Sequence, residues 1–232
     1  MIPFGRQVLW LEWLAFAAMV VDHASRYDIW IVPGWEIVGR LAFPLFAFTF
    51  SANAVRYGRC NVIKLVLLGV LAAPGMTYLA PLGHWWQANV LFTFPAGWTL
   101  YRYFATPQHG VDLWRTPLLL SILAAWLSLS PAYGVGGMVV VASLCGMWHT
   151  TNRRVAIGLA LLGYGAFAMS LANIPTAIAV AALLAAILWS ARLLPSGGTS
   201  RARTTWWQKA GFGKWYICQA YGLGLLKLMG AR

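Results

Sequence analysis

Nine apolar runs, each close to the length that carries an α-helix across a bilayer, succeed one another along the 232 residues. They cover roughly 8–25, 37–57, 62–82, 87–104, 113–130, 133–149, 155–171, 174–194 and 213–229, where ~20 apolar residues span a hydrocarbon core. A soluble fold alternates such stretches with polar faces. This chain is 60% hydrophobic and 9% charged, against roughly 25% charged in a soluble domain. The expected fold is therefore all-α: a polytopic transmembrane helical bundle of 8 or 9 helices, one integral membrane domain over 1–232 with no soluble domain. The fourth run is the least regular, because Pro95 and Gly97 interrupt it. The connections at Ser130-Pro131 and Ala172-Asn173 are so short that each predicts a helical hairpin.

The net charge of +12 raises nucleic acid as a partner, but its distribution excludes it. A nucleic-acid binder gathers Lys and Arg on one soluble face. Here they alternate with the spans: Arg56, Arg59 and Lys64 after the second, Arg102 and Arg115 after the fourth, Arg153 and Arg154 after the sixth. Arg192, Arg201, Arg203, Lys209 and Lys214 follow the eighth, within or beside a basic linker near 195–212, and the third, fifth and seventh connections have no Lys or Arg. That is the positive-inside pattern of an inner-membrane protein with a cytoplasmic N-terminus. Arg6 opens an apolar segment with no small-residue cleavage site, so the first span is expected to stay in the membrane. Cys60, Cys145 and Cys218 form no CxxC and predict neither a disulfide framework nor a metal site.

Ionisable groups inside such spans cost about 2.5–3.5 kcal/mol each on insertion scales and are functional candidates by default. Four of the five carboxylates lie in the first 40 residues, and Glu12, Asp22, His23, Glu36 and Arg40 stand out. Chemistry is therefore expected on the first two spans. In AAMVVDHASR, Asp22 and His23 close the first span at its outer end. Glu12 falls only about 20° from His23 around the helix, three turns away. Two readings of the pair are open. Asp22 and Arg26, at i,i+4, can form an interfacial ion pair with His23 merely ending the helix. Alternatively His23 is a base and Asp22 supports the imidazolium it forms. Adjacent helical positions diverge by about 100°, so adjacency implies no Asp22–His23 hydrogen bond, and Arg40 or a substrate ammonium is an equal partner for Asp22.

Other signals are weaker. In GRLAFPLFAF, Pro44 should kink the second helix and free backbone carbonyls, either for packing or for a ligand. Asn89, in QANVLFTF, can hydrogen-bond a neighbouring helix or a ligand. YGVGG, 133–137, suits close helix packing more than backbone contact with a ligand. His84, His109 and His149 lie in connections or at span ends and draw no assignment, and the WW pairs 85–86 and 206–207 read as interfacial belts.

At these same residues a family resemblance appears. WLAFAAMVVDHAS followed by IVGRLAFPLFAFTFSANAVRY resembles the TraX family of conjugative-transfer membrane proteins, which acetylate the N-terminus of the pilus subunit. NVLFTF and YGVGG follow in the expected order, so the resemblance runs from about residue 9 to 225 and looks most like the TrbP branch. The layout is more distantly similar to membrane acyltransferases that use acetyl-CoA and a histidine near the N-terminus. The resemblance implies acetyl transfer from cytoplasmic acetyl-CoA to a pilin amine on the outer side of the membrane. By carry-over, His23 would deprotonate the amine or relay the acetyl group. Asp22 would support it, Arg40 would hold a carbonyl, phosphate or carboxylate, and Arg40 and Asn89 would contact the cofactor. The pilin subunit and the phospholipid bilayer would be the partners.

One departure matters. The family's last helix usually has a Tyr, two residues, then His-Leu, and WYICQAY has Gln219 at that histidine position. Head-to-tail joining of the pilin is the alternative reaction, since it is also acyl transfer to an N-terminal amine and needs the same base and oxyanion support. A non-enzymatic pilin assembly factor is a second alternative. A transporter is disfavoured, because its ionisable groups would sit at mid-bilayer in both halves of a repeat.

Overall fold

The structure is a computed structural model that describes residues 6–26, 34–58, 60–79, 90–105, 133–169, 171, 174–193, 217–223, 225, 226 and 229. Every regular element among them is helical: α1 (Arg6–Arg26), α2 (Trp35–Gly39), α3 (Ala42–Tyr57), α4 (Val62–Leu79), α5 (Val90–Ala105), α6 (Gly134–His149), α7 (Arg153–Met169) and α8 (Ile174–Leu193). A further helical run covers 217–223. The apolar runs thus become helices, within a few residues at most ends. The run 113–130, Ser130-Pro131 and the linker 195–212 lie outside the described residues. Within them, 37–57 is the one segment long and apolar enough to cross a membrane, and 62–72, 134–149 and 174–187 are shorter apolar helices.

The second span is not one uninterrupted helix. A proline has no N–H for the carbonyl four residues back, and its ring collides with that carbonyl. For Pro44 that residue is Arg40, which is where the helix breaks: α2 ends at Gly39 and α3 begins at Ala42. A turn-like bond, Leu41 N–H to Val38 O at 3.1 Å, spans the interruption, and an α-helical one, Leu45 N–H to Leu41 O at 3.2 Å, resumes beyond it. Pro44 itself sits in the first turn of α3, where a missing N–H costs nothing. The expected kink is a two-residue turn at Arg40 and Leu41 within the segment 37–57.

The described chain divides into two compact units. One draws on residues 1–46, 67–86 and 178–232 and contains α1, α2, most of α4 and α8, and the run 217–223. Its core includes Leu11, Ala15, Ala18 and Met19 of α1 with Leu41, Phe43 and Leu45 around the break. The other draws on 47–66 and 87–177 and contains the bulk of α3 with α5, α6 and α7.

In the second unit α5 is the central element. Every residue from Leu91 to Thr99 is buried, although Pro95 and Gly97 make it the least regular run in the sequence. Gly97 explains this: a Cβ there would collide with the Val141 side chain and lie 2.8 Å from the Met138 carbonyl oxygen, so only glycine lets α6 approach so closely. Thr99 Oγ donates to the Pro95 carbonyl at 2.8 Å. Ser51 Oγ donates to the Val141 carbonyl at 3.3 Å, and Phe50 stacks on Phe94 with centroids 5.0 Å apart. Asn61 and Asn152 cap α4 and α7, their Oδ1 atoms accepting from Lys64 N–H at 2.9 Å and Arg154 N–H at 3.0 Å. YGVGG forms the start of α6, with Gly137 buried, so it serves packing.

Candidate active site

The last two turns of α1 bring Asp22 and His23 into the first unit, where they are 7% and 8% exposed. Both are largely removed from water, and a buried polar group is costly unless it is hydrogen-bonded. The partner of His23 comes from the far end of the sequence. Gln219, in the run 217–223 and 8% exposed, places its side-chain Nε2 3.0 Å from His23 Nδ1. The same amide nitrogen donates to the Met19 carbonyl at 3.2 Å. Met19 precedes His23 by one helical turn, so Gln219 fastens onto the backbone and the imidazole of the same turn of α1. Its Oε1 is buried and has no hydrogen-bond partner among the described residues.

Asp22 is held differently. Gly39, the last residue of α2, lies against its backbone: a Cβ at Gly39 would sit 2.6 Å from Asp22 Cα, 2.6 Å from its Cβ and 2.9 Å from its nitrogen. This packing places the helix break directly beside the acid. Arg40 follows Gly39 by one peptide, about 3.8 Å between Cα atoms, in the turn between α2 and α3. Arg40 is half-buried.

The other candidates separate. Glu12 is half-buried on α1, about 16 Å along the axis from His23 at 1.5 Å per residue. Glu36 belongs to α2. The side chains of Glu36 and Arg26 lie outside the described set, as do Asn89, His84, His109 and both WW pairs. His149 ends α6, edge-on to Tyr101 at 5.9 Å, and takes no part in this site. Among the described residues no cluster of three or more His, Cys, Asp or Glu side chains could hold a metal ion.

What sequence reasoning missed is the contact between Gln219 and His23. Gln219 stood out only as a departure from a family pattern, and that departure was the signal. The residue at the position where the resemblance implies a histidine touches His23.

The comparison with known proteins fits these residues. A family model described as TraX protein matches residues 7–226, which takes in α1, the break at Arg40 and Gln219. The chain belongs to the TraX family. Protein TraX of Escherichia coli (strain K12) is 28% identical over 223 residues, covering 94% of this chain and 86% of the relative. Another Protein TraX from Escherichia coli is 29% identical over 224 residues, again covering 94% and 86%. No solved structure matches.

Proposed function

We propose that this TraX-family chain is a polytopic inner-membrane acyltransferase that matures conjugative pilin at its N-terminal amine, with acetyl-CoA as the acyl donor. The same reading treats 1–232 as one membrane domain and puts it in the TrbP branch. The observation that carries it is the buried group of Asp22, His23 and Gln219 on a chain otherwise poor in buried charge. Acid–base chemistry on an amine and a thioester needs such groups shielded from competing water. In the reaction the amine nitrogen forms a bond to the acetyl carbon and the carbon–sulfur bond breaks. The amine gives up a proton and the CoA sulfur leaves as the thiol. His23 and Asp22 serve this step between them as hydrogen-bond donor and proton acceptor, while Arg40 and Asn89 contact the donor.

Membrane embedding is supported by 37–57 and by large apolar side chains left exposed, among them Ile63, Leu67, Leu161, Ile178 and Trp189. In the second unit Arg56, Lys64, Arg102, Arg153 and Arg154 are all exposed at helix ends, suited to the phosphates of CoA or to anionic headgroups. The test is the intact mass of pilin from cells with and without this protein. A gain of one acetyl group upholds the proposal. Loss of one water instead indicates head-to-tail joining. An unchanged mass with a lower pilin level indicates an assembly factor and overturns the enzymatic reading.

A further inference from the structure

We infer that Gln219 is a positioning residue that fixes the tautomer of His23, so that the imidazole serves as a hydrogen-bond donor through Nε2–H and not as the base. The argument begins at Met19. Its carbonyl oxygen can only accept, and it lies 3.2 Å from the Gln219 side-chain nitrogen. Were the amide turned over, Oε1 would face that carbonyl oxygen and two acceptors would repel. The NH₂ therefore faces Met19, and the same nitrogen lies 3.0 Å from His23 Nδ1. One amide hydrogen goes to each. Nδ1 must then present its lone pair, and a neutral imidazole with its lone pair on Nδ1 carries its proton on Nε2.

This arrangement is the reverse of a carboxylate–histidine pair, in which an acceptor holds Nδ1–H and leaves Nε2 as a base. An imidazole held by a donor offers an N–H and can stabilise oxyanion charge without itself being ionised. The inference rests on the acyl-transfer reading for its chemical meaning: His23 Nε2–H would donate to the thioester oxygen as the tetrahedral intermediate forms. Removal of the amine proton then falls to a group other than His23, and buried Asp22 is the candidate to be tested. The assignment revises the role expected of His23 from the sequence and gives Gln219 a function of its own.

The test is made on the full-length protein, ¹⁵N-labelled at histidine and purified in detergent, with the His23 signals identified by their loss in His23→Asn. Long-range ¹⁵N–¹H correlations distinguish the two tautomers of a neutral ring. The expected result is Nδ1 unprotonated and Nε2 protonated. Gln219→Glu places an acceptor-only side chain there and should move the proton to Nδ1, with acyl transfer falling about 100-fold, in the range seen when an oxyanion donor is lost. Gln219→Leu imposes neither tautomer and should give a mixture with a smaller loss, about tenfold. Gln219→His can still donate to Nδ1 and should keep the wild-type tautomer. A protonated Nδ1 in the wild-type protein overturns the inference, as does an unchanged tautomer in Gln219→Glu. The wild-type tautomer is read without measuring activity, so an unmodified pilin would sink the acyl-transfer reading while the tautomer stood or fell separately.

Discussion

Two glycines, one in each unit, do the same mechanical work with different results. Gly97 lets α6 lie on α5, and what a side chain there would meet is Val141 and a carbonyl of Met138. Gly39 lets the end of α2 lie on α1, and what it meets is the backbone of Asp22. The first contact lies within a core of Phe92, Ala96 and Met138. The second lies against a buried acid, Asp22. Small-residue contact is thus a device without a fixed purpose. In the second unit it packs one apolar helix on another, and in the first it fixes the backbone of a buried acid.

The comparison can be broken at several points. The largest effect is expected from His23→Ala, which should reduce pilin modification by at least about 100-fold while leaving the protein's membrane level near normal. Intact pilin mass and an immunoblot of the protein check both halves. Gly39→Ala comes next. Its Cβ cannot be placed without moving Asp22, so modification should fall about tenfold or more, in line with the sensitivity of catalysis to misplacement by ~1 Å, with a smaller proportional loss of thermal stability. Gly97→Ala should do the reverse: overpacking costs about 1–3 kcal/mol, read as a lower melting temperature in detergent, and modification should fall only in proportion to folded protein. If the two variants lose stability and activity in the same ratio, the contrast between the units is wrong.

The smallest effect concerns Cys60, in the connection between α3 and α4. Burial disfavours its thiolate and pushes the thiol up from 9.0 to about 12. Because the thiolate is the reactive form, raising the pKa lowers reactivity below it, by about 10³-fold at neutral pH for a shift of this size. Maleimide labelling of Cys60 should therefore be slow at pH 7 and accelerate steadily up to pH 10. Cys60→Ser should leave pilin mass unchanged. A fast-labelling Cys60 at pH 7 would mean that this end of the second unit is more open to water than its packing indicates.

Much of the helical layout is legible in the sequence, and the reason is local. A run such as 174–194 is apolar for longer than a strand needs, and α8 fills Ile174–Leu193. Pro44 carries its own instruction, and the expected kink is a turn whose position, Arg40, follows from the ring's clash four residues back. The burial of α5 was not legible. Pro95 and Gly97 weaken a helix judged alone, and only a neighbour pressed onto Gly97 turns the weakness into a fit.

The site was half legible for a related reason. Asp22 and His23 are conspicuous because charge is rare in their surroundings. Gln219 lies 196 positions from His23, and no periodicity connects residues so far apart. Several of these helices are apolar almost all round and have no polar stripe to show which side faces the core. The position of Gln219 was marked, but its contact with His23 is a product of tertiary packing.

The unpaired Oε1 of Gln219 has one more consequence. A buried acceptor without a donor costs roughly 1–3 kcal/mol, and the folded chain carries that cost whenever the site is empty. A ligand that brings an N–H within reach of Oε1 relieves it, whereas a tertiary amine or a bare carbonyl does not. On the proposed reading, the amide that faces His23 on one side would on its other side favour a visiting nitrogen that still has a hydrogen to give.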